Sequence, residues 1–274
     1  MDMGHSIFLG IVQGLTEFLP VSSSGHLVLF QNLLGVHGAE LLFDTALHFG
    51  TLLALCMVFR KDIAGLLRSF LRLCSPAQLR ALPGRYRSDE TTRLLILIII
   101  GSVPTVLIGL AFKDLFERLF SSLQVVGCTL MITGALLWLT RRCANTSRDI
   151  LQMTAFQALA IGFVQGLAIT PGISRSGSTI AVALLLGIGR ETSGRFSFLL
   201  SMPAILGATL LGFGSTAVTS AELYTIAAGT GAAVITGYLS LVLLLKVIRK
   251  GRFYLFAPYC LLAGLAALAC SLYI

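Results

Sequence analysis

A glutamate, a serine and a histidine near the N-terminus carry the functional groups that a catalytic site needs. Glu17 precedes a Pro/Ser/Gly loop, Ser23 lies in that loop, and His26 follows it. A carboxylate, a hydroxyl and an imidazole can supply a general base, a nucleophile and an acid. Gln13 lies four residues before Glu17 and shares its helical face. We therefore predict catalytic roles for Glu17, Ser23 and His26, with Gln13 contacting the substrate.

A second loop repeats this pattern 152 residues later with a different charge. The segment Val12-Gln13-Gly14-Leu15 leads through a proline to Ser22-Ser23-Ser24-Gly25, and Val164-Gln165-Gly166-Leu167 leads through a proline to Ser174-Arg175-Ser176-Gly177. Glu17 and His26 occur only in the first copy, and Arg175 occurs only in the second. Complementary charges on two related loops indicate that a single site is assembled from both halves of the chain.

The two loops have the composition of an anion site. We expect a helix after Gly25 and another after Gly177, and helix N-termini with unpaired N–H groups bind phosphate. Arg175 adds a planar fork that suits phosphate oxygens. The remaining predicted substrate-binding residues are Ser22, Ser24, Gly25, Ser174, Ser176, Gly177 and Thr179. Alternatively, the serines only cap broken helices, and Glu17 only pairs with Arg175. An arginine at membrane depth, which costs roughly 2.5 kcal/mol or more, favours a binding role.

The composition is that of a polytopic membrane protein. Hydrophobic residues make up 56% of the chain and charged residues 12%, with a mean hydropathy of +0.90. A soluble domain has about 25% charged residues. Because a bilayer core needs roughly 20 apolar residues, we predict six transmembrane helices. They cover residues 41–59, 94–112, 123–140, 196–218, 223–245 and 253–274. The shorter apolar pieces around the two loops predict re-entrant helical hairpins at 6–36 and 154–189.

The basic residues predict how the chain is oriented. Seventeen of the twenty fall on one side if the chain crosses at the six long runs and returns at the two hairpins. The net charge of +8 is then a topology signal, and we predict no nucleic-acid partner. The fold class is all-α, with an inverted-topology repeat. The first repeat covers 1–140, a cytoplasmic linker covers 141–153, and the second repeat covers 154–274. Transporters share this architecture.

The two loop motifs resemble those of the bacterial undecaprenyl-diphosphate phosphatase family, also called bacitracin-resistance protein. The residues that carry the resemblance are Gln13-Gly14-Leu15-Thr16-Glu17-Phe18-Leu19-Pro20-Val21-Ser22-Ser23-Ser24-Gly25-His26 and Pro171-Gly172-Ile173-Ser174-Arg175-Ser176-Gly177. The resemblance implies a multi-pass enzyme of the bacterial inner membrane. Such an enzyme removes the terminal phosphate of the C55 isoprenoid diphosphate and returns the lipid carrier for peptidoglycan synthesis. It also implies a site that opens to the outer, periplasmic face.

The same resemblance assigns the acidic motif to Gln13 and Glu17, the serine and histidine to Ser23 and His26, and the phosphate-binding arginine to Arg175. Many relatives have glutamate where Gln13 stands, so a divalent cation, Mg²⁺ or Ca²⁺, would depend on Glu17 and the substrate itself. Ser23 is the preferred nucleophile. His26 as the nucleophile and direct attack by water stay open as alternatives. The rival function is a lipid-phosphate transporter or flippase that uses the same inverted-repeat site.

Overall fold

The protein is described by a computed structural model that covers residues 2–36, 41–75, 79–119, 122–143, 147–212 and 220–271. Within these ranges the chain is helical and contains no β-strand. The longer helices are α1 (Met3–Phe18), α2 (Ser23–Leu33), α3 (Leu41–Val58), α4 (Arg60–Leu73), α5 (Leu82–Ser88), α6 (Glu90–Ala111), α7 (Lys113–Leu119), α8 (Leu123–Leu139), α9 (Ala155–Leu167), α10 (Arg175–Leu185), α11 (Arg190–Gly212), α12 (Ser220–Arg249) and α13 (Ala257–Cys270).

Helices long and apolar enough to cross a membrane are present, which makes this a polytopic membrane protein. Four qualify within the described residues: Glu90–Ala111, Leu123–Arg142, Glu222–Arg249 and Phe253–Cys270. A fifth is obtained if α3 and α4, which meet at 87°, are counted as one span. These helices overlap five of the six predicted runs. The sixth run, 196–218, overlaps α11 up to residue 212, and residues 213–218 lie outside the described residues, as do 272–274 of the last run.

Each predicted hairpin consists of two helices separated by a break. The first break separates α1 from α2, and the second separates α9 from α10. In both pairs the two helices contact each other. The helix starts after Gly25 and Gly177 were predicted too late, because α2 begins at Ser23 and α10 at Arg175. Ser22 and Ser174 act as the N-caps, accepting bonds from the N–H groups of Gly25 and Gly177, and the helix therefore starts right after them.

The first helix of each hairpin packs against a long helix from the other half of the chain. Helix α1 lies along α12, and α9 lies along α6. Glycines permit the close approach. A Cβ added at Gly14 would lie 2.7 Å from the carbonyl oxygen of Ala233, and one added at Gly166 would lie 2.7 Å from Cδ1 of Ile108. Each of these two close contacts therefore joins one helix from each half of the chain.

Candidate active site

Glu17 is the centre of a buried polar cluster at the end of α1. Its side chain is 1% exposed. The amide Nε2 of Gln13 donates to Glu17 Oε2 at 2.9 Å, and the hydroxyl of Ser23 donates to the same oxygen at 2.6 Å. One helical turn and one tight break are enough to bring these three residues together. The arrangement places a carboxylate in position to take the proton of the Ser23 hydroxyl.

Arg175 reaches the same carboxylate from the second half of the chain. Its guanidinium forms an ion pair with Glu17 Oε1, although the two residues are 158 positions apart. The breaks themselves are in contact. The hydroxyl of Ser176 donates to the carbonyl oxygen of Leu19 at 3.5 Å, and a Cβ added at Gly177 would lie 3.1 Å from Pro20. The structure thus joins the two loops at one place, as their complementary charges predict.

The serines on either side of this ion pair have matching geometry in the two loops. Ser22 and Ser24 have their hydroxyl oxygens 3.3 Å apart, and Ser174 and Ser176 have the same separation. In each pair the first serine is the N-cap. The N–H groups of the first turns of α2 and α10 have no intrahelical acceptor, so two positive helix ends meet beside Glu17 and Arg175. The capping interpretation is confirmed for Ser22 and Ser174, and the anion-site interpretation stays a prediction.

Neighbouring side chains fix the shape of the two breaks. Ser22 has a φ of 68°, a strained conformation for a residue with a side chain. Gly25, which the sequence predicts to bind the substrate, lies against the second break, because a Cβ added to it would be 3.6 Å from Gly172 Cα. The second break is held by Thr129, whose hydroxyl donates to the carbonyl oxygen of Pro171 at 2.6 Å. Thr179, on the first turns of α10, donates its hydroxyl to the carbonyl oxygen of Arg175 at 2.9 Å.

His26 is buried one turn into α2, with both ring nitrogens engaged. Nδ1 donates to the carbonyl oxygen of Ser22 at 2.8 Å, which leaves Nε2 as the acceptor of the neutral ring. The hydroxyl of Tyr259 donates to Nε2 at 2.6 Å, and the two rings stack with centroids 5.8 Å apart. The imidazole is therefore oriented by Ser22 and by Tyr259 of α13, and its hydrogen bonds do not involve Glu17.

Three residues near the cluster are absent from the predicted set of site residues. His48 Nε2 lies 3.7 Å from Glu17 Oε2, and its spacing of four from Asp44 inside an apolar helix was the available signal. Tyr259 is 233 residues from His26, and no sequence pattern connects them. Ser197 on α11 lines a small cavity together with Glu17 and Arg175.

A buried aromatic cluster closes the site toward the end of the molecule where the basic loops lie. Phe198 packs against Phe18 and Phe59 with centroid distances of 5.8 and 6.1 Å. Phe18 and Phe198 line the small cavity beside Glu17, whereas Phe59 lines a separate cavity of about 830 Å³. The large cavity is bordered by charged residues of the basic end, including Arg148, Arg190 and Arg249. The three phenylalanines thus separate the two cavities.

A divalent cation finds few ligands among the side chains at this site. Among the described residues there is no group of three or more His, Cys, Asp or Glu side chains arranged to hold a metal ion. Both oxygens of Glu17 already have partners, one of them a guanidinium that competes with a cation for the carboxylate. The buried Oε1 of Gln13 has no partner in the described chain and is a spare acceptor. This donor set does not fit a protein-held metal ion.

Comparison with known proteins shows the family of this chain. Residues 6–266 match the family model described as Bacitracin resistance protein BacA. The chain belongs to this family. It is similar to the undecaprenyl-diphosphatase of Desulforapulum autotrophicum, with 48% identity over 270 residues that cover 98% of each chain. It is also similar to the undecaprenyl-diphosphatases of Desulfatibacillum aliphaticivorans, with 45% identity and 97% of each chain covered, and of Desulfosudis oleivorans, with 47% identity and 96% and 97% covered.

Proposed function

We propose that this BacA-family protein is an integral membrane phosphatase that hydrolyses undecaprenyl diphosphate to undecaprenyl phosphate and inorganic phosphate. This activity recycles the lipid carrier for peptidoglycan synthesis and confers bacitracin resistance. The observation that carries the proposal is that Arg175 of the second half and Ser23 of the first half both contact the carboxylate of Glu17. An anion-binding cation and a carboxylate–hydroxyl pair at two helix N-termini are the parts that phosphoryl transfer requires.

In the proposed mechanism the diphosphate first takes Arg175 away from Glu17. The guanidinium fork and the first-turn N–H groups bind the terminal phosphate and stabilise its charge. Glu17 then accepts the Ser23 proton, and Ser23 Oγ attacks the terminal phosphorus. The bond from phosphorus to the bridging oxygen breaks, and the lipid monophosphate leaves. Attack by water on the phosphoserine breaks its bond from phosphorus to Oγ and releases inorganic phosphate, and Glu17 returns the proton to Ser23 Oγ.

Two alternative routes differ in the nucleophile. His26 can attack in place of Ser23, or Glu17 and His26 can activate water directly. The 2.6 Å contact from Ser23 to Glu17 favours the serine, and the engagement of both His26 nitrogens argues against the imidazole. Trapping a phospho-enzyme with a polyprenyl diphosphate tests this choice. Acid-stable phosphoserine supports Ser23, acid-labile phosphohistidine supports His26, and inversion at an isotopically chiral phosphorus supports direct attack by water.

The proposed membrane arrangement has six transmembrane helices and two re-entrant hairpins in inverted repeats, 1–140 and 154–274. The exchange of partners between halves, α1 on α12 and α9 on α6, supports the repeat. In this arrangement the linker 141–153 is cytoplasmic in a bacterial inner membrane. The site then opens to the periplasmic face, since the phenylalanine cluster blocks the basic end. Phosphate release measured separately on the two faces of oriented vesicles tests both statements.

A lipid-phosphate transporter is the second candidate function. The exchanged helix pairing is the observation that favours it, because alternating access uses inverted repeats. A carrier needs the anion site but has no use for the contact between Ser23 and Glu17. Purified protein in detergent separates the two functions. Release of phosphate from a polyprenyl diphosphate supports the enzyme, whereas binding without release supports the carrier.

A further inference from the structure

A cavity beside the ion pair is lined by a helix that the two loop motifs do not include. It has a volume of about 10 Å³, close to the room that one water molecule needs. Glu17 and Arg175 form one side of it, and Ser197 on α11 forms another. Ser197 is thus a hydroxyl at the edge of the proposed phosphate site, although it is far from both loops in the sequence.

The Ser197 hydroxyl is buried without a hydrogen-bond partner. The residue is 2% exposed, and its Oγ contacts no donor or acceptor in the described part of the chain. Serines in helices usually bond to a carbonyl of the preceding turn. The neighbouring serines on the same helix each have a carbonyl acceptor, since Ser193 donates to Ile188 at 3.3 Å and Ser201 donates to Phe198 at 2.7 Å. Ser197 is the exception among the three.

An unpaired buried hydroxyl destabilises the folded protein by about 1–3 kcal/mol. It becomes favourable when a ligand supplies the missing partner. The anion that the neighbouring Arg175 attracts would bring acceptor oxygens to this same cavity. A hydroxyl can donate a hydrogen bond to such an oxygen, and a hydrogen bond to a charged oxygen is stronger than one to a neutral group.

We propose that Ser197 is a substrate-binding residue of this site, whose hydroxyl donates to a non-bridging oxygen of the terminal phosphate. This inference rests on the proposed phosphatase function and extends its binding set to a third part of the chain. A phosphoryl group exceeds the size of the cavity, so Arg175 turns from Glu17 to the phosphate as the substrate enters. Arg175 and Ser197 then hold the same phosphate from two sides.

The test compares Ser197→Ala with Thr209→Val, a matched control. Thr209 is also on α11, is 3% exposed and has an unpaired hydroxyl in the described chain, but it does not line the cavity. Because each substitution removes an unpaired polar group, neither should lower the melting temperature in detergent. Ser197→Ala should reduce kcat/KM for a polyprenyl diphosphate by about tenfold to a hundredfold. It should also weaken inhibition by inorganic phosphate, and Thr209→Val should change neither quantity.

The outcomes separate this inference from the proposed function. If the wild-type protein releases no phosphate from polyprenyl diphosphates, the proposed function fails. If the wild type is active and Ser197→Ala keeps kcat/KM within twofold of it, only the role of Ser197 is overturned. A melting temperature lowered in parallel with activity, or an equal loss of activity in Thr209→Val, also overturns it, because either result assigns the effect to the helix and not to the phosphate.

Discussion

Removing Arg175 should destabilise the protein as well as inactivate it. The Glu17 side chain is 1% exposed, so Arg175→Ala leaves a buried carboxylate without its counter-charge. Removing one partner of a buried ion pair costs about 3–5 kcal/mol. Ser23 and Gln13 still donate to Glu17 and offset part of this loss, so we expect about 3 kcal/mol. Arg175→Lys should also be poor, because an ammonium cannot replace the bidentate fork.

Replacing the other partner of the ion pair, Glu17, should affect turnover more than stability. Glu17→Gln leaves Arg175 unpaired, but its side chain is 25% exposed and keeps some contact with water. We therefore expect a smaller loss of stability, about 1–2 kcal/mol, together with a loss of turnover because an amide cannot accept the Ser23 proton. The double variant Glu17→Gln/Arg175→Ala contains no unpaired charge. Its stability should return to within about 1 kcal/mol of the wild type, and its activity should not return.

Unfolding in mixed detergent micelles and phosphate release from a polyprenyl diphosphate give the two readouts. Arg249→Ala is the matched control, because its pair with Glu191 is 2.8 Å long but 60% and 69% exposed. Such a surface pair contributes less than about 1 kcal/mol, and activity should stay normal. The reasoning is refuted if Arg175→Ala is as stable as the control, or if the double variant is no more stable than Arg175→Ala. Wild-type turnover in Arg175→Ala would refute the proposed active site.

Three further predictions concern other parts of the site. Tyr259→Phe removes the donor to His26 Nε2, and because no step of the proposed serine route passes through His26, kcat should stay within about threefold of the wild type; a loss of tenfold or more would give His26 a part in the reaction. Gly14→Ala should destabilise the protein by about 1–3 kcal/mol through a clash with α12, whereas Gly84→Ala, with open space around it, should not; equal stabilities would contradict the close packing of α1. A chelator should lower activity only by removing the cation from the diphosphate substrate. Purified protein that keeps one tightly bound metal ion, and loses activity when that ion is removed, would contradict the donor set described above.

The breaks and the long helices could be predicted from the loop motifs and the hydrophobic pattern, because both depend on local chemistry. Uncharged runs predicted most of the long helices, since a helix is the structure that satisfies its own backbone in an apolar environment. The shared Ser/Gly segments predicted two similar breaks, and the structure gives their serine pairs the same 3.3 Å spacing. The helix starts were predicted three residues too late, because the caps Ser22 and Ser174 were taken as part of the loops instead of as their ends.

The orientation of individual side chains could not be read in the same way. His26 was grouped with Glu17 and Ser23 because it is near them in sequence, but its ring is held by Tyr259 from the far end of the chain. His48 is near Glu17 in space, although it was not among the predicted site residues. Ser197 lacks any motif of its own. In each case a helix packed against the site brings the residues together, and their separation in the sequence does not predict that packing.

The sequence by itself therefore determined the membrane class, the paired loops and the residue types available for phosphoryl transfer, because composition, periodicity and duplication are properties of the chain alone. The tertiary structure decided which of those residues meet. Arg175 pairs with Glu17 because α1 and α9 each pack against a helix of the other half, which brings two breaks that are 152 residues apart into contact. Long-range packing also decided that Ser197 borders this ion pair and that His26 faces Tyr259.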